Sequence, residues 1–145
     1  MPQNISIYKL LFSFILIIIF FSCSKKNEDI VPNTFVDITL HLGNPSNIKL
    51  NSIGGWVYVD GGVKGIVVYK KSPEEFVAFD RNCTYQPSNA CSTIEVDDSG
   101  ITAIDSCCGS KFQIYDGSVI KGPASRPLRQ YSTSLSGSAL HIYNY

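Results

Sequence analysis

The chain has 145 residues, which leaves room for one domain and not for two. With 44% hydrophobic and 17% charged residues it is too apolar for a disordered chain and can bury a modest core. Its 12 basic and 12 acidic residues cancel, which argues against the basic surface that nucleic-acid binding requires.

The first segment has the pattern of an export signal. Residues 10–22 read LLFSFILIIIFFS and follow Lys9. A spanning helix needs about 20 apolar residues, so this shorter block is typical of a signal-peptide core. Ser22 and Cys23, followed by polar residues, resemble a bacterial lipobox, in which the cysteine is lipidated. The sequence predicts a lipoprotein signal peptide at residues 1–22 and lipidation of Cys23; the alternative is a plain secretory signal.

Residues 23–34 have the composition of a tether, because they are mostly polar or charged and include Pro32. A lipid on Cys23 would hold the protein to a membrane from outside the cytoplasm. The predicted location is therefore the cell envelope. Ser24 is not the aspartate that retains lipoproteins at the inner membrane, which favours the outer membrane.

From residue 35 to 145 the pattern is that of short β-strands. Val36, Ile38, Leu40 and Leu42 alternate with polar residues, and later apolar runs are separated by Gly, Asp and Ser turns. No stretch of twelve residues has helical spacing. These features predict an all-β domain, a small antiparallel barrel or sandwich. The predicted strands are 36–42, 56–59, 65–69, 75–79, 93–96, 101–104, 111–115, 118–120, 129–135 and 139–143.

Four cysteines remain after Cys23, namely Cys83, Cys91, Cys107 and Cys108. An even number in a small exported domain favours disulfides, with three possible connectivities. Adjacent side chains of an extended segment point to opposite sides, so Cys107 and Cys108 are expected to take separate partners. Two connectivities stay open on this reasoning. The spacing does not match a zinc site built from two C-x-x-C pairs.

Several segments of the second half together carry a family resemblance. They read FDRNCTY at 79–85, CCGSKF at 107–112, DGSV at 116–119, GPA at 122–124 and PLRQY at 127–131. From about residue 65 to 143 the chain thereby resembles a Rieske [2Fe–2S] domain. The resemblance implies two cluster-binding loops and a Gly-Pro turn that folds over the base of the site. It also implies electron transfer with an unknown protein or redox partner.

The ligand positions depart from the family pattern. Rieske domains hold the cluster with two Cys on one iron and two His on the other, from a C-x-H box and a C-x-x-H box. On the resemblance these positions match Cys83, Tyr85, Asp105 and Cys108, and only Cys83 is of the expected type. We therefore expect a degenerate cofactor site with low [2Fe–2S] occupancy, whose metal ligands would be Cys83 and Cys108.

The resemblance also implies a bridge between the two loops, from Cys91 to Cys107. Cys83 and Cys108 would then face each other across the cluster position. In the absence of iron, a second bridge between them is predicted, because free thiols of an exported protein tend to oxidise.

Three functions follow as hypotheses. An electron-transfer domain would bind iron and be coloured, whereas a cluster-free, disulfide-stabilised binding or structural lipoprotein would be colourless. The third is a zinc or other metal site built from the same cysteines. The sequence contains no Ser-His-Asp arrangement, catalytic carboxylate pair or metalloprotease spacing, so we do not expect an enzyme.

Overall fold

The computed structural model describes residues 29–145. The predicted signal peptide, Cys23 and the first half of the tether lie outside the described residues. Within that range the chain forms ten strands and one 3₁₀ helix, Pro45–Asn51. The strands are β1 (Asp37–His41), β2 (Trp56–Val59), β3 (Ile66–Lys70), β4 (Phe76–Asp80), β5 (Ile94–Val96), β6 (Thr102–Asp105), β7 (Lys111–Gln113), β8 (Val119–Lys121), β9 (Gln130–Ser136) and β10 (Ala139–Tyr143).

The all-β prediction is confirmed, and each predicted strand lies within two residues of an observed one. The 3₁₀ helix was not predicted, because seven residues are too few to show a helical period. It begins at Pro45 and buries Leu50 completely against the core. In residues 29–145 no helix is long and apolar enough to cross a membrane.

The strands form two antiparallel sheets. The larger sheet has six strands in the order β1-β10-β9-β4-β3-β2, and the smaller has four in the order β5-β6-β7-β8. The smaller sheet is an insertion between β4 and β9, which are themselves paired through Ala78↔Tyr131 and Phe79↔Gln130. The chain therefore leaves the larger sheet and returns to it at neighbouring strands.

Strands β3 and β4 separate two hydrophobic cores. Val68 and Ala78 are paired and belong to the first core, which includes Leu140 of β10. Their paired neighbours Val67 and Phe79 point to the other face and belong to the second core, which also contains residues of the smaller sheet. Because both faces are covered, every residue of β4 is buried.

Strand β4 ends in a buried carboxylate that joins three parts of the chain. One oxygen of Asp80, Oδ2, accepts hydrogen bonds of 2.7 Å from the Val63 amide and from the Tyr131 hydroxyl. The other oxygen, Oδ1, accepts one of 2.7 Å from the Asn82 amide. Burial, and then the hydrogen bond to Asp80, raises the pKa of Tyr131 well above its ordinary value, so this phenol stays a donor.

Gly62 allows the backbone to approach this carboxylate. Its φ is +63°, and a Cβ there would lie 2.4 Å from Asp80 Oδ2 and 2.7 Å from the Tyr131 hydroxyl oxygen. A side chain would therefore be both strained and without space. The arrangement fixes the exit of β4 three residues before Cys83.

Candidate functional site

Two loops carry the residues singled out from the sequence. Residues 81–93 connect β4 to β5, and residues 106–110 connect β6 to β7. The first loop is closed on itself where the Cys83 amide donates to the Ser92 carbonyl at 3.2 Å. The second is closed where the Gly109 amide donates to the Asp105 carbonyl at 2.7 Å; the φ of Gly109 is +77°, which favours glycine.

The loops bring two sulfur atoms and a carboxylate together. Cys83 Sγ lies 3.9 Å from Cys108 Sγ, and Cys108 Sγ lies 3.2 Å from Asp105 Oδ2. All three residues offer ligand atoms that lie within 4.8 Å of one another. Cys83 and Asp105 are fully buried, whereas Cys108 is half-buried. Three of the four predicted site residues thus converge on one point.

The fourth predicted residue, Tyr85, takes part differently. Its backbone amide lies 3.5 Å from Cys83 Sγ and donates to it, while its ring packs against the second core. At the other sulfur, the Ser110 amide and hydroxyl oxygen lie 3.4 Å and 3.0 Å from Cys108 Sγ. Each sulfur therefore has at least one backbone donor.

Asp105 is oriented by its neighbours. Its Oδ1 accepts a hydrogen bond of 2.8 Å from the Cys107 amide, and its Oδ2 faces Cys108 Sγ with the Ser92 hydroxyl 3.4 Å away. One oxygen of this carboxylate is therefore used by a backbone amide. The other oxygen faces the sulfur atoms and could bind a metal ion as a single-oxygen ligand.

Burial raises the pKa of the Cys83 thiol to about 12, with a further contribution from the hydrogen bond to Asp105. The thiolate is the reactive form, so a buried neutral thiol resists oxidation. In this structure Cys83 and Cys108 are free thiols, and their 3.9 Å separation exceeds the roughly 2.05 Å of a disulfide. The second predicted bridge is thus not formed here, and its formation on oxidation stays a prediction.

The first predicted bridge is confirmed, since Cys91 and Cys107 form a disulfide that links the two loops. Lys64 supports the Cys91 segment, because its Nζ donates to the carbonyls of Asn89, Ala90 and Ser92. The Gly-Pro turn also reaches the site as the resemblance implied: Gly122 and Pro123 are joined by a cis peptide, and the Ala124 amide donates to Ser110 Oγ at 2.9 Å.

Sequence reasoning missed three supporting residues, Ser92, Ser110 and Lys64. Ser110 lies two residues after Cys108 in the CCGSKF segment, and this position was the one available signal. Ser92 donates a hydrogen bond to the Tyr85 carbonyl, and Lys64 donates one to the Ser92 carbonyl. Contacts between a side chain and a backbone carbonyl leave no pattern in a sequence.

A larger antiparallel sheet with an inserted four-stranded sheet, whose two loops meet at one end and are joined by a disulfide, is the fold of Rieske domains. The chain is similar to the cyanobacterial plasma membrane Rieske protein PetC3 from Synechocystis PCC 6803, with a TM-score of 0.55, 23% identity, and coverage of 72% of this chain and 99% of that one. The Sphingomonas yanoikuyae B1 ferredoxin is more distant, with a TM-score of 0.44, 18% identity, and coverage of 62% and 85%. No family model and no curated protein matches the sequence.

The residues as arranged do not fit the cluster that this fold family implies. On the Rieske pattern Cys83 and Cys108 would serve different irons, so both irons and the bridging sulfides would lie between them. The two sulfurs are 3.9 Å apart, and Cys108 Sγ is in hydrogen-bond contact with Asp105. These separations are too short for two irons and their bridging sulfides to lie between the ligand atoms.

Loss of the loop disulfide is expected to destabilise the domain by about 3 kcal/mol, because its cysteines are 16 residues apart and the bridge restricts the unfolded chain. Urea unfolding of the Cys91→Ser/Cys107→Ser variant measures this loss. Reductant should lower the wild-type stability to the same value and leave the variant unchanged. A loss below about 1 kcal/mol, or a Cys83–Cys107 peptide in a non-reducing map, would contradict the assignment.

Proposed function

We propose that this protein is a lipid-anchored protein of the cell envelope in which a Rieske fold works without a [2Fe–2S] cluster. In this proposal it is a binding domain with an unknown protein partner, and its site is the thiol–carboxylate group formed by Cys83, Asp105 and Cys108. The observation that carries the proposal is the direct contact between ligand atoms that a cluster would have to separate.

The donor set supports the same conclusion. Asp105 stands at a position where the family pattern has a cysteine, and iron–sulfur clusters are held by thiolates, with imidazoles on one iron in Rieske centres. A carboxylate is a harder ligand than such iron ordinarily receives. The two loops are joined by the Cys91–Cys107 disulfide, and the turn that ends at Ala124 contacts the second loop at Ser110.

Protein produced under iron-replete conditions is expected to be colourless and to contain less than a tenth of an iron atom and of an acid-labile sulfide per chain. The measurement is elemental analysis and sulfide assay beside a visible spectrum. About two irons and two sulfides per chain would refute the proposal and restore the electron-transfer function.

Attachment to the membrane is expected to depend on Cys23. The Cys23→Ser variant lacks the thiol that the lipid requires, so it should move from the membrane fraction to the soluble extracytoplasmic fraction and take up no radiolabelled lipid. A Ser24→Ala variant is the matched control and should fractionate like the wild type. Unchanged fractionation of Cys23→Ser would show that the anchor assignment is wrong.

A further inference from the structure

We propose that Cys83, Asp105 and Cys108 bind one Zn²⁺ ion, with the fourth coordination position open. The inference rests on the proposed function, since a cluster and a single ion cannot share these ligands. It is carried by the distances between the three ligand atoms, by the mixture of ligand types and by the contacts that hold each ligand in place.

The distances are those of one tetrahedral ion. With Zn–S bonds of about 2.3 Å, two thiolates on a tetrahedral zinc are about 3.8 Å apart, and a thiolate and a carboxylate oxygen are about 3.5 Å apart. The observed separations are 3.9 Å between Cys83 Sγ and Cys108 Sγ and 3.2 Å between Cys108 Sγ and Asp105 Oδ2. The third separation, between Cys83 Sγ and a carboxylate oxygen of Asp105, is at most 4.8 Å, so this pair would move closer together on binding an ion.

The ligand types select the ion. Two thiolates favour soft or borderline cations over Mg²⁺ and Ca²⁺, which prefer oxygen. One carboxylate makes the set less suited to Cu⁺, which prefers sulfur ligands alone. Zn²⁺ accepts sulfur and carboxylate oxygen ligands together. Its d-electrons impose no geometry, and in proteins it is usually bound by four tetrahedral ligands. On binding, each thiol loses its proton to solvent and the net charge of the site becomes −1.

The surrounding hydrogen bonds hold the ligands in a binding orientation. The Cys107 amide occupies Asp105 Oδ1 and leaves Oδ2 for the ion. The amides of Tyr85 and Ser110 lie 3.5 Å and 3.4 Å from the two sulfurs, and such donors stabilise thiolates. Contacts of this kind orient metal ligands in many sites.

The fourth position faces the exposed side of the site. Cys108 and Gly109 are only half-buried, whereas Cys83 and Asp105 are fully buried. Three protein ligands with an open position are typical of zinc sites that bind a water or an exogenous ligand, whereas structural sites have four protein ligands. The ligand of the proposed binding domain would meet the ion here.

The test uses the full chain, extracted from membranes in detergent and kept folded. About one zinc per chain is expected by elemental analysis. Replacement by Co²⁺ should give the visible absorption of a tetrahedral site and a near-ultraviolet charge-transfer band with the intensity of two thiolates. The Cys108→Ser variant should retain less than a tenth of the zinc, and at saturating Co²⁺ its charge-transfer band should have half the intensity. Asp105→Asn should bind Zn²⁺ at least tenfold more weakly.

Asp98→Asn, in an exposed turn, is the matched control and should bind zinc like the wild type. Unchanged zinc affinity in Cys108→Ser, or a Co²⁺ spectrum without thiolate bands, would overturn the inference. If Cys108→Ser does not fold, the presence or absence of thiolate bands in the Co²⁺ spectrum of the wild type decides whether the inference holds. Protein that contains neither iron nor zinc and takes up no Zn²⁺ overturns the inference alone, whereas a [2Fe–2S] cluster overturns the proposed function as well.

Discussion

Replacement of Asp80 by alanine is expected to lower the free energy of unfolding by about 3–5 kcal/mol, a large share of the 5–15 kcal/mol that holds a typical domain together. The carboxylate accepts hydrogen bonds from the amides of Val63 and Asn82 and from the buried Tyr131 hydroxyl. Alanine would leave these donors without an acceptor, and the two at Asn82 and Tyr131 are buried. Each buried unpaired donor costs about 1–3 kcal/mol.

Urea unfolding followed by the fluorescence of Trp56, the single tryptophan, measures the effect. Asp80→Asn keeps one acceptor oxygen and should lose less stability than Asp80→Ala. The exposed Asp98→Ala is the matched control and should change stability by no more than about 0.5 kcal/mol. A loss below about 1 kcal/mol in Asp80→Ala would show that solvent or other groups satisfy these donors.

Introduction of the ligand set of Rieske domains is expected to convert the site to an iron–sulfur centre. The triple variant Tyr85→His/Asp105→Cys/Cys108→His supplies two cysteines for one iron and two histidines for the other. Iron and acid-labile sulfide should rise from near zero to about two of each per chain, and the protein should become coloured. The loop disulfide and the turn at Ala124 remain in place to support the cluster.

The matched control is the Tyr85→His/Cys108→His variant, which keeps Asp105 and lacks the second cysteine. It should take up less than a tenth of the iron of the triple variant. Before metal analysis, far-ultraviolet circular dichroism and cooperative unfolding must show that both variants fold. A folded triple variant that binds no iron would show that these four positions do not correspond to the Rieske ligands.

Several strands could be predicted because their burial alternates along the chain, whereas β4, which is buried throughout, could be predicted from its short apolar run next to a turn. In β10, for example, Leu140 and Ile142 are buried while their neighbours are half-exposed. Such alternation is a local property that needs no knowledge of the fold. The 3₁₀ helix is too short to show a period, so its role in burying Leu50 could not be foreseen.

The site was predictable only in part. The resemblance implied that Cys83, Asp105 and Cys108 belong to one site, and the loops do bring their ligand atoms within 4.8 Å of one another. The direct contact between Cys83 and Cys108 could not be read from the sequence, because it depends on the packing of two loops separated by two strands. The support that Lys64 gives to the carbonyls around Cys91 was equally hidden.

The way the smaller sheet is inserted bears on how such a site can change over evolutionary time. The excursion from β4 to β9 starts and finishes at adjacent positions, where Phe79 pairs with Gln130. The two strands that flank the smaller sheet are therefore held together by pairing within the larger sheet. Substitutions in the two loops that carry the site change the side chains that can bind a ligand. The larger sheet keeps its own hydrogen bonds and the first core. A lineage can in this way lose one cofactor and acquire another ligand without passing through an unfolded ancestor.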